Sequence, residues 1–513
     1  MARNSVTLTG AAVAVGLALL ICASLSPLVL HLGKADVLPS DWAALRFTVL
    51  QATLSAIVSA VLGAVLARAL FRRRFWGRGG LIRVISAPFL LPSLAAILGL
   101  LVIFGRGGVA NGALAQLGLP QISIFGLGGV VLAHVFLNMP LVARMVLQGW
   151  ADIPAERFRL AQTLGFGTRA MFWHLEWPML RALLPSAFSA VFLICLGSFA
   201  VALILGGGPR ASTLELALYQ ALRFDFDLDR AAHLAVMQIG LCMGAVVLAG
   251  LVWRPIGMGA GLDRAAPQIG PKGMWMWLDG GVIALAAGFF IAPLGAVVAL
   301  GLPQLGSLPQ GFWPSALRSV GIALASATIA TFAALMLAWV RAKGAGLWVE
   351  LVAMAPLGTS ALALGTGALI ALRPWAAPQG LAIPMAILFG AALSVPFLFR
   401  ILLPPCREVV QGYARLSAQI GLSPWREMLW LALPRLARPL GFAMGLAAAI
   451  SMGDFGIIAL FGAVDQATLP VLIARLMGSY QMAAAASVTL WLVLISFALF
   501  WIFDAWGARH AEA

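Results

Sequence analysis

Few residues in this 513-residue chain are placed to do chemistry. Its five histidines, His31, His134, His174, His233 and His510, form no HExxH pattern and no obvious carboxylate pairing for acid–base or zinc work. Cys22, Cys195, Cys242 and Cys406 lie in or beside apolar segments without CxxC spacing, so neither a disulfide framework nor a thiolate metal site is indicated. The alternating Asp225, Asp227 and Asp229 invite calcium, but an EF-hand loop needs glycine and glutamate where the chain has Arg230 and Val236. No phosphate-cradling G-x-x-x-x-G-K-[ST] loop occurs: Gly33-Lys34 is followed by Ala35, and Lys272 follows Pro271. What remains is a handful of acids and aromatics in unusual places. Glu215 and Tyr219, four apart, share a helix face, either lining an entrance or supporting each other. Asp454 is the one acid clearly inside an apolar segment, a functional candidate by default, with a hydrogen-bonded helix end as the alternative. Together with Gly207, Gly208, Asp225, Asp227 and Phe455, these residues are the candidates for a substrate path or a partner-protein contact.

The elements that carry these residues follow from composition. Hydrophobic residues make up 62% and charged residues 10% of the chain, where a soluble fold carries about 25% charged residues. Apolar blocks of about 20 residues alternate with short polar joints, which predicts an all-α polytopic membrane protein and excludes a secreted, nucleic-acid-binding or cytosolic enzyme. Twelve spans are expected, starting near Thr9, Leu45, Ile82, Leu127, Leu180, Ala231, Trp277, Leu317, Val349, Ile383, Leu436 and Ala483. The first is too long for the apolar core of a signal peptide and is kept as a span. An even number of spans puts both termini on one side, and most of the 33 Lys+Arg fall in the loops of that same side. The positive-inside rule makes it cytoplasmic. Arg72, Arg73 and Arg74 are expected to be orienting charges only.

Superposing the sequence on itself at an offset of about 256 residues aligns Pro140 with Pro396, Arg144 with Arg400, Gly165 with Gly421 and Pro178 with Pro434. Gly197, Phe199 and Gly206 likewise fall on Gly453, Phe455 and Gly462. The expected organisation is two parallel six-helix repeats, 1–253 and 277–513, joined by a cytoplasmic linker at 254–276. The best repeated feature lies in two cytoplasmic loops, 151–180 and 404–436. Glu156 to Gly165 reads as a short amphipathic helix stopped by glycine. In the second loop Tyr413, Leu416 and Ile420 lie along one face before Gly421. A proline follows each glycine at the same distance, Pro178 and Pro434, suited to the first turn of the next span.

At these residues the chain resembles the permease subunits of ATP-binding-cassette (ABC) importers, in which this loop motif forms a coupling helix docked on a separate ATPase. The resemblance implies a type I importer fold and assigns ATPase coupling to Arg159, Leu160, Ala161, Gly165 and Pro178, and to Arg415, Leu416, Ser417, Gly421 and Pro434. Arg159 and Arg415 stand where the family motif has glutamate, which changes the polarity of that contact. The segments Leu205 to Leu222, Phe224 to Ala232 and Gly453 to Gly462 look like the fused thiamine permeases of this family. That likeness implies transport of thiamine or its phosphate esters from one periplasmic binding protein, driven by two ATPase subunits that hold the ATP and magnesium. The chain itself then carries no cofactor and catalyses no reaction. It would sit in the bacterial inner membrane with its surface against the lipid bilayer. Fused ferric-iron permeases share the architecture and are the alternative. A secondary transporter of the major facilitator type is disfavoured because Phe71 to Gly80 contains no acid where its loop motif would need one.

Overall fold

The computed structural model describes residues 5–32, 37–86, 91–151, 153–208, 211–252, 273–462 and 464–511. Among these every regular element is a helix. Lipid offers no partner for a free N–H or C=O, so a chain this apolar closes its backbone hydrogen bonds within each segment. Among the described residues eleven helices are long and apolar enough to cross a membrane, or twelve if one sharply bent pair counts as a single span. The protein is therefore a multi-pass membrane protein.

Three boundaries differ from expectation. The third span does not begin near Ile82: a short helix, Arg78–Ser86, comes first, and the apolar helix starts at Ser93, capped by Pro92. The span expected from Val349 is broken by 90° between Trp348–Gly358 and Ala361–Leu372. Pro356 and Gly358 fall at the break, and Ser360 caps the new helix by accepting from the Ala363 N–H at 3.3 Å. The loop expected at 404–436 does not start with a separate helix. Pro378–Gln419 runs unbroken for 42 residues, roughly 63 Å, through four internal prolines, and so overshoots a bilayer core of about 30 Å. Most of the linker expected at 254–276 lies outside the described residues, as do Pro209 and Arg210.

Small residues let the helices approach closely, as in other membrane bundles. A Cβ on Gly367 would stand 1.6 Å from the Ser24 carbonyl oxygen, and Gly441 and Gly507 face each other in the same way. These contacts also fix which helix ends share a side. Met274–Gly301 begins beside Arg73, whose Nε donates to Asp279 at 2.8 Å, and ends with Gly301 against Ala486. Met482–Ala511 runs back and brings Gly507 against Ala437, the first residue of Ala437–Met452. The C-terminal end of Pro39–Arg72 and the N-terminal end of Ala437–Met452 therefore lie at one end of the bundle.

One order of elements occurs twice. Trp177–Leu196, Phe199–Leu205, Leu214–Arg223 and Leu228–Val252 are matched by Ala437–Met452, Gly456–Phe461, Leu469–Gly478 and Met482–Ala511. The short amphipathic member is pinned alike in both places: Leu214 N–H donates to Thr48 Oγ1 and Leu469 N–H to Ser319 Oγ, each at 2.9 Å.

Candidate functional site

The two connectors, the segments that lead from Leu127–Ala151 into Trp177–Leu196 and from Pro378–Gln419 into Ala437–Met452, emerge at the same end of the bundle. In the first, the helix Ala155–Thr163 closes with Gly165 at φ +70°, while Gly165 N–H donates to Gln162 O and Phe166 N–H to Ala161 O, both at 2.9 Å. In the second, Gly421 has φ +65°, its N–H donates to Ala418 O at 3.3 Å and Leu422 N–H to Ser417 O at 3.2 Å. This glycine-terminated cap is the same in both. Nothing crowds either glycine, so the left-handed backbone, not lack of space, is what selects glycine there.

The caps orient the side chains consistently. Ala161 and Ser417 face the body of the protein, while Arg159 and Arg415 face outward. Beside those arginines, Leu160 is 61% exposed with Leu164 next to it, and Leu416 is 45% exposed with Ile420 next to it. Phe71 packs on Trp150 and Phe158, centroids 5.5 and 6.0 Å away, and holds the first connector. Arg435 lies over the Tyr413 ring at 4.2 Å and holds the second. Pro178 is in the first turn of Trp177–Leu196, and Pro434 is in the short turn Leu433–Arg435 just before Ala437–Met452.

At the opposite ends of Trp177–Leu196 and Ala437–Met452 lies a cavity of about 410 Å³. It is lined by residues of both sequence halves, including Glu215, Asp454, Phe199 and Phe455. The two phenylalanine rings stack at 5.6 Å with their planes 16° apart. Glu215 is only 2% exposed, and its Oε2 has no hydrogen-bond partner. Burial pushes the Glu215 carboxyl up to about 7, against the Ser360 side chain and the Phe199 backbone, whose hydrogen bonds hold it down. Asp454 is partly open to the cavity, and its Oδ1 accepts from Gly456 N–H at 3.1 Å, so it both caps a helix and lines the cavity. His134 lines the same space, held by the Ser55 hydroxyl at 3.1 Å and the Ser198 hydroxyl at 2.5 Å.

Relatives match this chain nearly end to end. The thiamine transport system permease protein ThiP of Escherichia coli strain K12 is 35% identical over 483 residues, covering 92% of this chain and 90% of the relative. That of Brucella abortus strain 2308 is 35% identical over 484 residues, covering 92% and 89%. That of Haemophilus influenzae is 31% identical over 463 residues, covering 86% and 84%. The chain belongs to the thiamine transport system permease family of ABC importers. No protein-family model matches it.

In this permease not every expected path residue meets the cavity. Tyr219 packs behind Phe199 at 5.0 Å and against Phe224 at 6.0 Å, so it supports the aromatic wall rather than lining it. Gly207 and Gly208 make a left-handed turn, with Gly207 close against Phe125 and Gly126. Asp225 pairs with Arg230 at 3.5 Å, and Asp227 Oδ1 accepts from the Arg230 N–H at 2.9 Å, so both serve the start of Leu228–Val252.

Sequence reasoning missed a buried ion pair beside each connector. Each connector runs into a π-helical turn, Phe172–Glu176 or Glu427–Ala432, that carries a buried glutamate. Arg68 Nε and Arg72 Nη2 donate to Glu176 at 2.9 and 2.8 Å, and Lys343 Nζ donates to Glu427 at 2.5 Å. Arg72 and Arg73, expected to be orienting charges only, are thus structural partners of Glu176 and Asp279. No local signal marks these pairs, because the partners lie 84 to 108 positions apart in the sequence.

Proposed function

We propose that the chain is the translocation subunit of an ATP-driven importer that carries thiamine or its phosphate esters into the cytoplasm. The observation that carries this is the duplicated connector: two glycine-capped helix ends, each offering an exposed pair of aliphatic residues beside an arginine, at one end of a bundle whose opposite end holds a cavity. Each connector receives one ATPase subunit, two in all, and ATP and magnesium reside on those subunits. Arg159 and Arg415 face acidic groups there, in keeping with their charge. One periplasmic binding protein delivers substrate at the cavity end. The halves 1–253 and 277–513 are parallel six-helix repeats of the type I importer fold, supported by the recurring element order and by the matched Thr48 and Ser319 contacts.

The connector end is the cytoplasmic one, in the bacterial inner membrane, with both termini on that side; the excess of basic residues there supports it. ATP closes the two ATPases, the connectors move together, and the six-helix halves open outward. Hydrolysis resets the inward-facing state. The alternative of a ferric-iron permease is not favoured by the relatives, which are named for thiamine. Reconstitution with the ATPase and the binding protein tests the assignment: thiamine or thiamine diphosphate on the binding protein should stimulate ATP turnover. Stimulation by ferric iron alone would overturn it.

A further inference from the structure

The cavity has a chemical character of its own. The whole protein carries a net charge of +15, yet among the described residues lining this space there are two acids and no lysine or arginine. The acids come from opposite sequence halves, Glu215 from the first and Asp454 from the second. Asp454 spends one oxygen on a helix end, but Glu215 keeps Oε2 buried and unpartnered. A buried carboxylate oxygen without a donor is costly unless something positive or donating reaches it. Two other polar groups of the wall are already engaged, while the neutral Ser451 hydroxyl is, like Glu215 Oε2, without a partner. Asn138 gives its amide N–H to His134 O at 2.9 Å, and the His134 ring is taken by two serines.

The other distinctive part of the wall is aromatic. Phe199 and Phe455, at matched positions of the two halves, stack on each other in the cavity wall. Aromatic faces attract organic cations, more strongly when water is excluded. We propose that this cavity is a transit site for a flat organic cation, with the Glu215 carboxylate as its counter-charge, Asp454 as a second negative group, and the Phe199 and Phe455 rings as its aromatic wall. This rests on the thiamine assignment, since the positively charged ring of thiamine is the cation in question, and it deepens that assignment by naming the groups that meet the charge. A cation beside Glu215 favours the ionised carboxylate, so guest and counter-charge stabilise each other.

The test uses the full transporter, permease with its ATPase subunits and binding protein, in proteoliposomes. Thiamine uptake is measured for the wild type, Glu215→Gln and Glu215→Asp. The neutral Glu215→Gln should lose at least about tenfold in uptake, and Glu215→Asp, which keeps the charge, should recover most of it. In the same preparation without binding protein, thiamine should bind the wild-type complex at least about tenfold more tightly than an isostere in which carbon replaces the quaternary nitrogen. That comparison needs no variant and decides the matter if Glu215→Gln fails to assemble. Uptake by Glu215→Gln within twofold of wild type, or equal binding of the two compounds, overturns this proposal while leaving the thiamine assignment in place. A wild-type transporter that takes up no thiamine overturns the assignment and this proposal together.

Discussion

Removing the carboxylate of Glu176 is the sharpest probe of how the connector end is held together. Glu176 and Arg72 are 4% and 6% exposed, so Glu176→Gln leaves the Arg72 charge buried without its counter-ion. Breaking a buried pair in this way costs about 3–5 kcal/mol. Arg68 adds little to that figure, because at 31% exposure it can turn to water once released. The Arg341–Glu350 pair is the internal control: at 3.2 Å with Glu350 41% exposed, its loss should cost no more than about 1 kcal/mol. A second step separates charge from packing. Replacing both partners, Arg72→Met with Glu176→Met, removes the stranded charge and should recover most of the lost stability, since an apolar pair of similar volume is often as stable as the ion pair it replaces. Equilibrium denaturation of the purified chain in mixed micelles, followed by tryptophan fluorescence, measures all three variants on one scale. If Glu176→Gln costs no more than Glu350→Gln, or if the double variant is as unstable as the single one, the buried-charge explanation is wrong.

Three further outcomes follow from local geometry. Gly165→Pro or Gly421→Pro removes an N–H that closes the cap and forbids the positive φ, so each should abolish transport; a variant that assembles and transports normally refutes the coupling role. Leu160→Glu and Leu416→Glu place a charge on the exposed aliphatic pairs without touching the interior, and should reduce co-purification of the ATPase by about tenfold, or roughly 1.4 kcal/mol, at unchanged permease yield. Gly367→Ala drives its methyl into the Ser24 backbone and should cost at least about 1–3 kcal/mol in the same denaturation assay, whereas Gly288→Ala, with nothing near it, should be neutral or stabilising by up to about 1 kcal/mol.

What the sequence made legible was whatever depends on local backbone chemistry. Gly165 and Gly421 could be placed as helix stops because a left-handed residue is a local requirement, and the repeated interval to Pro178 and Pro434 marked the segments as equivalent. The 90° break before Ala361 was hidden because Leu351 to Leu372 carries no charged residue, and hydropathy measures length in lipid rather than direction. The unbroken Pro378–Gln419 helix was hidden for the opposite reason. Four prolines argue for interruption, yet neighbouring helices in a bundle can re-satisfy the freed carbonyls. Glu215 was found as one of a pair with Tyr219 on helical spacing, but only the fold shows that the two diverge in role, with the acid on the cavity and the ring behind Phe199. The Glu176 pairs with Arg68 and Arg72 join residues more than 100 positions apart and had no local signature.

The second long helix of each sequence half connects the two ends of the molecule. In Pro39–Arg72, Thr48 receives the Leu214 N–H next to Glu215, and Arg72, about 24 residues or roughly 36 Å further on, holds Glu176 beside the first connector. Along Phe312–Ala342 and just past its end, Ser319 receives the Leu469 N–H and Lys343 holds Glu427 at the same separation. Each half therefore has a helical rod tied at one end to the segment that leaves the connector, and at the other to the short helix on the cavity side. The two ties of each rod lie 24 residues apart, at opposite ends of the bundle. The Phe199–Phe455 stack is one of the contacts where the two sequence halves meet in the cavity wall, one ring from each. Glu215, 2% exposed, lies in the same wall, so the ring contact and the buried acid belong to one region that joins the two sequence halves.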